Sequence, residues 1–222
     1  MHFPEFFDAA PRLVVRDPLA RFLGAADDGV IEYAYTDVVK LAGHSCPTVA
    51  SAYLMTRAAL QALYPDALPE RGSIRVELRD DRQEGVTGVI ANVVSLLTGA
   101  TQDTGFKGIG GRFDRRNLLY FGVDLPGELR FTRTDTGAAV TVSARLDRVA
   151  ADARMFPLLK HCISGAATAD EAAHFQALWQ GRVEALLVAH ADDPEVIVVQ
   201  RPSNPESLTS GSSTAANTRG AS

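Results

Sequence analysis

The stretch Leu41–Thr48 has the sequence LAGHSCPT and places His44 and Cys46 two positions apart, directly before a long apolar segment. The chain has only two cysteines and five histidines, so one of each standing two positions apart is an uncommon arrangement in this sequence. Pro47 and the run 49–63 predict a helix, because proline is favoured at the first helical position, where no N–H is needed. Cys46 is therefore predicted at the N-cap, where backbone N–H groups and the helix dipole favour a thiolate over a thiol.

His44 and Cys46 are open to three interpretations. An imidazole and a thiolate that meet at a helix start suit a soft or borderline metal ion such as zinc. The same side chains could instead act without metal, with Cys46 as the nucleophile and His44 as the base of a thiol enzyme. In the third interpretation Cys46 is a small buried apolar residue and His44 a turn residue, since an isolated H-x-C is a weak motif.

Composition narrows the class of protein. The chain has 222 residues, 46% of them hydrophobic, which is enough for a sizeable core. The net charge of −5 and the absence of a basic run predict no nucleic-acid or membrane partner. There is no apolar stretch of about 20 residues, as a bilayer span needs, and no signal-peptide pattern at the start. With two distant cysteines, a reduced, cytoplasmic protein is expected.

Hydrophobic periodicity and turn residues predict an α+β fold, with a mixed or antiparallel sheet packed against long buried helices in a single core domain. The predicted helices are 19–23, 38–42, 49–63, 86–97, 155–163 and 172–189. The predicted strands are 30–35, 74–78, 118–123, 127–132, 139–144 and 196–199. Turn signals at 125–127 and 135–137 predict an antiparallel meander, and the alternation of Arg75, Glu77 and Arg79 predicts a half-exposed strand. The core domain is predicted over 1–200, and the Ser/Thr/Gly/Pro-rich segment 201–222 is predicted to be disordered.

The pentapeptide Gly43–Pro47, at the start of a long helix, is similar to the G-H-x-C-P signature of the FmdE-like family, whose name refers to formylmethanofuran dehydrogenase. The order that follows also matches: an acidic loop, a second helix, the sequence LTGAT at 97–101, a Gly/Lys loop and strands. The resemblance covers 31–189 and implies an α+β core, commonly dimeric, with a metal site fed by His44 and Cys46. As for activity, the resemblance implies no specific reaction and only a link to C1 or redox metabolism.

The sequence departs from this family in three places. Ala100 stands where the family usually has a cysteine, the cysteine often found before the second helix is missing, and the appended zinc finger is absent. Two cysteines cannot supply an iron–sulfur cluster or a multi-thiolate site. What remains is a mixed site of nitrogen, sulfur and oxygen ligands.

Further candidate site residues follow from that resemblance and from the loop after the second helix. Two ligands are too few for a closed zinc site, so Asp103 is predicted as a third ligand because the family's loop returns to the start of the first helix. Lys107 is predicted to face a ligand carboxylate or phosphate as a point charge, and Cys46 and Lys107 are the candidate catalytic residues. His161 and Cys162 are adjacent on a predicted helix and point in different directions, so they are predicted to be structural, with Cys162 buried.

The leading hypothesis is a homodimeric metalloprotein that holds a divalent transition metal, zinc first, in a mononuclear site open to a small-molecule ligand. A metal-free thiol enzyme and a non-catalytic accessory or sensor protein are the alternatives. The sequence leaves undecided whether the ligand is turned over.

Overall fold

The computed structural model describes residues 2–201, so 202–222, almost all of the predicted tail, lie outside the described residues. The described chain contains seven α-helices and seven β-strands. The helices are α1 (Phe6–Ala9), α2 (Pro18–Leu23), α3 (Tyr35–Ala42), α4 (Pro47–Leu63), α5 (Thr87–Thr98), α6 (Met155–Ile163) and α7 (Ala169–Glu184). The strands are β1 (Leu13–Arg16), β2 (Val30–Tyr33), β3 (Ile74–Leu78), β4 (Leu119–Tyr120), β5 (Leu129–Arg133), β6 (Ala139–Ala144) and β7 (Ile197–Gln200).

The strands form two sheets. β1 and β2 pair antiparallel in a small sheet, and the larger sheet has the order β4-β3-β5-β6-β7. β3 pairs with β4 in parallel, while the other neighbours in the large sheet are antiparallel. This arrangement confirms the predicted α+β class with a mixed sheet. Within the described residues, no helix is both long and apolar enough to cross a membrane.

The predicted meander is wrong at its first strand. β5 and β6 do form an antiparallel pair, but β4 lies on the other side of β3 and comprises only two residues. The chain reaches β4 from β3 by way of α5, and parallel strands need such a crossover connection. The turn signal at 125–127 therefore marks a passage across the sheet and not a hairpin between β4 and β5.

α4 is the central helix of the core. Twelve of its 17 residues are buried, and it contacts α5 on one side and β6 and β7 on another. This confirms the prediction that the helix is enclosed on most sides. Burial raises the pKa of Tyr53 to about 12, and its hydroxyl donates a hydrogen bond to the carbonyl oxygen of Pro11 at 2.6 Å.

Local capping signals predicted several helix ends correctly. Asp17 caps α2, whose first residue is Pro18, and Gly24 ends that helix in the left-handed region. Thr168 and Glu171 form the predicted capping box of α7, each side chain bonded to the other's backbone N–H. The predicted helix to 189 continues after Glu184 as a single π-helical turn.

Glu77 departs from the prediction of a half-exposed strand. Its side chain is 3% exposed and accepts hydrogen bonds from Arg75 and, through both oxygens, from Arg130 directly opposite on β5. β3 lies between β4 and β5, so neighbours enclose a charge that the alternation alone had placed in solvent. Burial raises the pKa of Glu77. The hydrogen bond and charge of Arg130, together with the charge of Arg75, lower it by more, so the net pKa lies below the usual value.

A buried ion cluster ties the small sheet to the large one. Asp17 follows β1, and its two carboxylate oxygens contact Arg71 Nη1 at 2.8 Å and Arg115 Nη2 at 2.6 Å. Burial raises the pKa of Asp17, but the hydrogen bond from Arg71 and the charge of Arg115 lower it more, so the net pKa lies below its usual value. The carboxylate is therefore charged and shared by two guanidinium groups.

Candidate functional site

The candidate site lies on a four-residue loop between two helices. α3 ends at Ala42, Gly43 takes a left-handed conformation with φ of 74°, and α4 begins at Pro47. Cys46 is the N-cap of α4, as predicted, and its Sγ accepts a hydrogen bond from the backbone N–H of Val49 at 3.4 Å. The cysteine side chain therefore satisfies one of the free donors at the start of the core helix.

His44 faces Cys46 across this loop. Its Nε2 lies 3.4 Å from Cys46 Sγ, and its Nδ1 lies 3.0 Å from the carbonyl oxygen of Ala42. A carbonyl oxygen can only accept, so the proton of this contact sits on Nδ1. In the neutral imidazole, the lone pair of Nε2 is then directed at the sulfur. Cys46 is buried, whereas His44 is exposed at the surface.

Ser45, between these two residues, anchors the loop to distant elements. Its carbonyl oxygen accepts hydrogen bonds from Trp179 Nε1 at 3.0 Å and from Gln180 Nε2 at 3.2 Å, both on α7. Its hydroxyl lies 3.0 Å from the hydroxyl of Tyr35, at the start of α3. Burial raises the pKa of Tyr35, so that this phenol keeps its proton. Three contacts thus fix the backbone that carries His44 and Cys46.

A largely apolar pocket of about 330 Å³ opens beside Ser45. Its walls include Phe7 from α1 and Phe175 and Trp179 from α7. Gln180 also lines the pocket. Its Nε2 donates to Ser45, and its Oε1 is buried without a hydrogen-bond partner among the described residues. We call this cavity the aromatic pocket.

Asp103 and Lys107 lie in the long loop after α5. Asp103 is exposed and lines a different pocket of about 320 Å³, together with Asp81, Asn117 and Tyr120. Lys107 is exposed as well. Across residues 2–201 no three His, Cys, Asp or Glu side chains gather in a way that could hold a metal ion, so Asp103 does not join His44 and Cys46 in such a cluster within one chain. The roles of Asp103 as a ligand and of Lys107 toward a ligand stay predictions.

His161 and Cys162 lie apart from this site, near the end of α6. His161 Nδ1 contacts Glu171 at 3.4 Å across the α6–α7 hairpin, which fits the predicted structural role. The prediction that Cys162 is buried is wrong, since its side chain is partly exposed. The reason is that α6 buries only Met155 completely, so most of its surface faces solvent.

The anchors of the loop were missed at the level of sequence. Trp179 and Gln180 are 134 and 135 residues away from Ser45, and no local pattern connects them with the loop. One signal was available: Trp179 is the only tryptophan of the chain. A buried indole N–H usually finds a hydrogen-bond acceptor.

Comparison with known proteins gives one family match. The chain is not matched by any curated protein. The family model described as "FmdE, Molybdenum formylmethanofuran dehydrogenase operon" matches residues 41–194, a segment that begins just before the His44–Cys46 loop and includes α7. Since this match covers more than half of the sequence and contains His44, Cys46, Asp103 and Lys107, the chain belongs to the FmdE family.

Proposed function

We propose that this FmdE-family protein binds one divalent transition metal ion, zinc first, through His44 and Cys46, and that the ion is open to a small-molecule ligand. The observation that carries the proposal is the contact between Nε2 of His44 and Sγ of Cys46, in which two good metal donors face each other at 3.4 Å. The residues present fit the chemistry of such an ion, because zinc takes imidazole nitrogen and thiolate sulfur as ligands.

The separation of the two donors suits a shared ion. With zinc–sulfur and zinc–nitrogen bonds of about 2.3 and 2.05 Å, a tetrahedral ion holds its sulfur and nitrogen ligands about 3.5 Å apart. The observed distance of 3.4 Å is close to that value. His44 and Cys46 therefore need little movement to accept a metal ion between them.

The surroundings of both donors support the same role. Metal-bound histidines commonly donate their second ring N–H to a backbone carbonyl or a carboxylate, which fixes the tautomer and orients the ring. The contact from His44 Nδ1 to the oxygen of Ala42 has this geometry. The anchoring of Ser45 by Trp179 and Gln180 restricts the loop further.

Two protein ligands leave coordination positions open. A metal ion with open positions polarises a bound carbonyl or lowers the pKa of bound water, which is the chemistry it would supply here. The open positions are available to water, to a small ligand, and to side chains of a second copy of the chain in the homodimer we propose. The aromatic pocket beside Ser45, of about 330 Å³, is large enough for a small organic ligand.

Elemental analysis of the purified protein tests the proposal. We expect close to one transition-metal ion per chain in the wild type and loss of most of it in Cys46→Ser and in His44→Ala. Cys162→Ser and His174→Ala are matched controls, because they remove the same side chains from α6 and α7 and should keep the metal. Full metal content in both Cys46→Ser and His44→Ala would place the ligands elsewhere and end this proposal.

The second candidate function is a thiol enzyme without metal, and the same contact favours it. A sulfur at a helix N-cap, hydrogen-bonded by Val49 N–H and facing an imidazole nitrogen, is the arrangement of a nucleophile with its base. No third metal ligand joins the pair within residues 2–201. This candidate assigns proton transfer from the thiol to Nε2 of His44.

Iodoacetamide labelling separates the two candidates. A metal-bound thiolate has its lone pairs engaged, so we expect Cys46 to label slowly until a chelator removes the ion. The assay needs a Cys162→Ser background, because Cys162 is partly exposed and would label by itself. Fast labelling that is indifferent to chelator would favour the thiol enzyme. Slow labelling under both conditions would mark Cys46 as a packed core residue.

A further inference from the structure

A second polar cavity, of about 430 Å³, lies away from the candidate metal site. It is formed where the turn before β3 meets the end of the long loop before β4, and three arginines line it: Arg71, Arg112 and Arg115. We call it the arginine pocket. Neither the family match nor the proposed metal site gives this cavity a role.

The positive charges of this pocket are only partly neutralised. Arg71 and Arg115 share the single carboxylate of Asp17, so two guanidinium groups face one buried anion. Arg112 stacks on the ring of Phe113, with 4.8 Å between the guanidinium carbon and the ring centroid. It makes no ion pair with a carboxylate within residues 2–201. Asp17 therefore matches one of the three guanidinium charges, and Glu70, which also lines the pocket, offsets another.

The carboxylates on the wall are already engaged. Glu70 accepts a hydrogen bond from the hydroxyl of Ser73. Asp114 is held by Arg116, whose side-chain and backbone nitrogens both donate to it. Arg116 therefore matches the charge of Asp114, whereas Glu70 is bound to a neutral hydroxyl and still reduces the positive potential of the pocket. Counting the charged residues of the pocket and their partners, four arginines stand against Asp17, Glu70 and Asp114.

Arg115 has an unused donor on the floor of the pocket. Its side chain is 7% exposed, and Nη1 has no hydrogen-bond partner among the described residues, which is costly for a buried charged group. This nitrogen packs against Gly72: a Cβ at that position would lie 2.0 Å from it. Gly72 has a φ of 89°, so glycine serves both the turn and the close approach. Gly99 approaches the same nitrogen, since a Cβ at that position would lie 2.6 Å from it.

The glycine-rich loop after α5, residues 99–111, leads directly into the outer side of the pocket. Its sequence fits neither the dinucleotide-binding spacing nor a Gly-Lys-Ser/Thr phosphate loop. It nevertheless delivers Arg112 to the rim, followed by Phe113 in the left-handed region with φ of 64°. A bulky residue rarely adopts that conformation, and such strain is found at ligand-binding positions more often than elsewhere.

We propose that the arginine pocket binds the oxyanion group of a small molecule, a carboxylate or a phosphate. Arg112 makes the first contact at the rim, and the charge of the buried Arg115, whose Nη1 has no hydrogen-bond partner among the described residues, attracts the anion from below. Guanidinium groups match the planar, two-oxygen face of both kinds of anion. The inference does not depend on a metal at His44 and Cys46.

Isothermal titration of the full chain with inorganic phosphate and, separately, with acetate tests the proposal, with sodium chloride keeping the ionic strength constant. Saturable binding of one or both anions is expected, and the tighter one identifies the source of the oxyanion. Arg112→Gln should weaken that binding about tenfold, as the loss of a charge-assisted hydrogen bond does. Arg148→Gln removes an exposed arginine outside the pocket with the same change in net charge, and it should bind as the wild type does.

Three results would overturn the proposal. Equal weakening in Arg112→Gln and Arg148→Gln would mean general screening and no site, and the absence of saturable binding to the wild type would mean the same. Cys46→Ser must retain phosphate binding, because loss of binding in that variant would place the anion at the candidate metal site. Failure of the metal proposal leaves the outcome of the Arg112 comparison unaffected.

Discussion

Replacing Asp17 by asparagine should lower the free energy of unfolding more than the change of any exposed carboxylate to an amide, because Asp17 is buried. Asparagine is as good an N-cap as aspartate, so the hydrogen bonds to the backbone N–H groups of Leu19 and Ala20 can persist. What is lost is the negative charge between two guanidinium groups. The substitution therefore isolates the electrostatic role of the residue.

The structure sets the size of the effect. Removing one partner of a buried ion pair costs about 3–5 kcal/mol, because the remaining charge is left uncompensated. Asp17 and Arg115 are 4% and 7% exposed, but the side chain of Arg71 is 21% exposed and also donates to the carbonyl oxygen of Leu96. The lower end of the range, about 3 kcal/mol, is therefore expected. For a chain of this size that corresponds to a fall in melting temperature of roughly 6–12 °C.

The pH dependence gives an independent check of the cause. The pKa of Asp17 lies below its usual value in the folded protein, so its contribution to stability is present above the unfolded-state value of about 3.9. That contribution is lost as the pH falls through the folded-state pKa. The difference in unfolding free energy between wild type and Asp17→Asn should therefore shrink from neutral pH to about pH 3.

Urea unfolding followed by circular dichroism at the two pH values measures this difference. Glu32→Gln is the matched control: Glu32 pairs with Arg12 at 3.1 Å, but both side chains are about half exposed, so the cost should stay below about 1 kcal/mol. A cost for Asp17→Asn no larger than that of Glu32→Gln, or a difference that does not shrink in acid, would refute the argument.

Two smaller predictions concern α7. Thr168→Ala should destabilise the protein by about 1 kcal/mol because it removes the hydroxyl that caps Glu171 N–H, whereas Thr168→Ser should be close to neutral in the same unfolding assay. Trp179→Phe keeps an aromatic ring beside Phe175 but removes the indole donor to Ser45, so about 1 kcal/mol of stability should be lost. It should also make Cys46 label faster with iodoacetamide, and an unchanged labelling rate would mean that the loop does not depend on this anchor.

The features that could be predicted from sequence depend on contacts between residues that are close together along the chain. The caps at Asp17, Cys46 and Thr168 each depend on residues within about four positions, which is the reach of a side chain to the first free N–H groups of its own helix. The half of the site formed by His44 and Cys46 is local for the same reason.

The features that were missed depend on which strand lies beside which. β4 was assigned to the wrong neighbour because its two residues carry no signal that distinguishes a hairpin from a crossover. Glu77 was placed in solvent because its cover, Arg130, comes from a strand 53 residues later. Neither neighbour can be known before the order of strands in the sheet is known.

The part of the candidate site that could not be predicted from sequence also depends on long-range neighbours. His44 and Cys46 can be paired from sequence because one short loop carries both, but the groups that complete their surroundings come from elsewhere in the fold. Ser45 is held by α7, and Asp103 lines a pocket that contains neither His44 nor Cys46. Within residues 2–201 no third ligand meets the pair, so the metal we propose has open positions for water, for a ligand or for side chains of a second copy of the chain. If the homodimer that we propose forms, metal content measured with and without its dissociation would identify a shared shell, since only a shell shared between two copies loses its ion when the copies part.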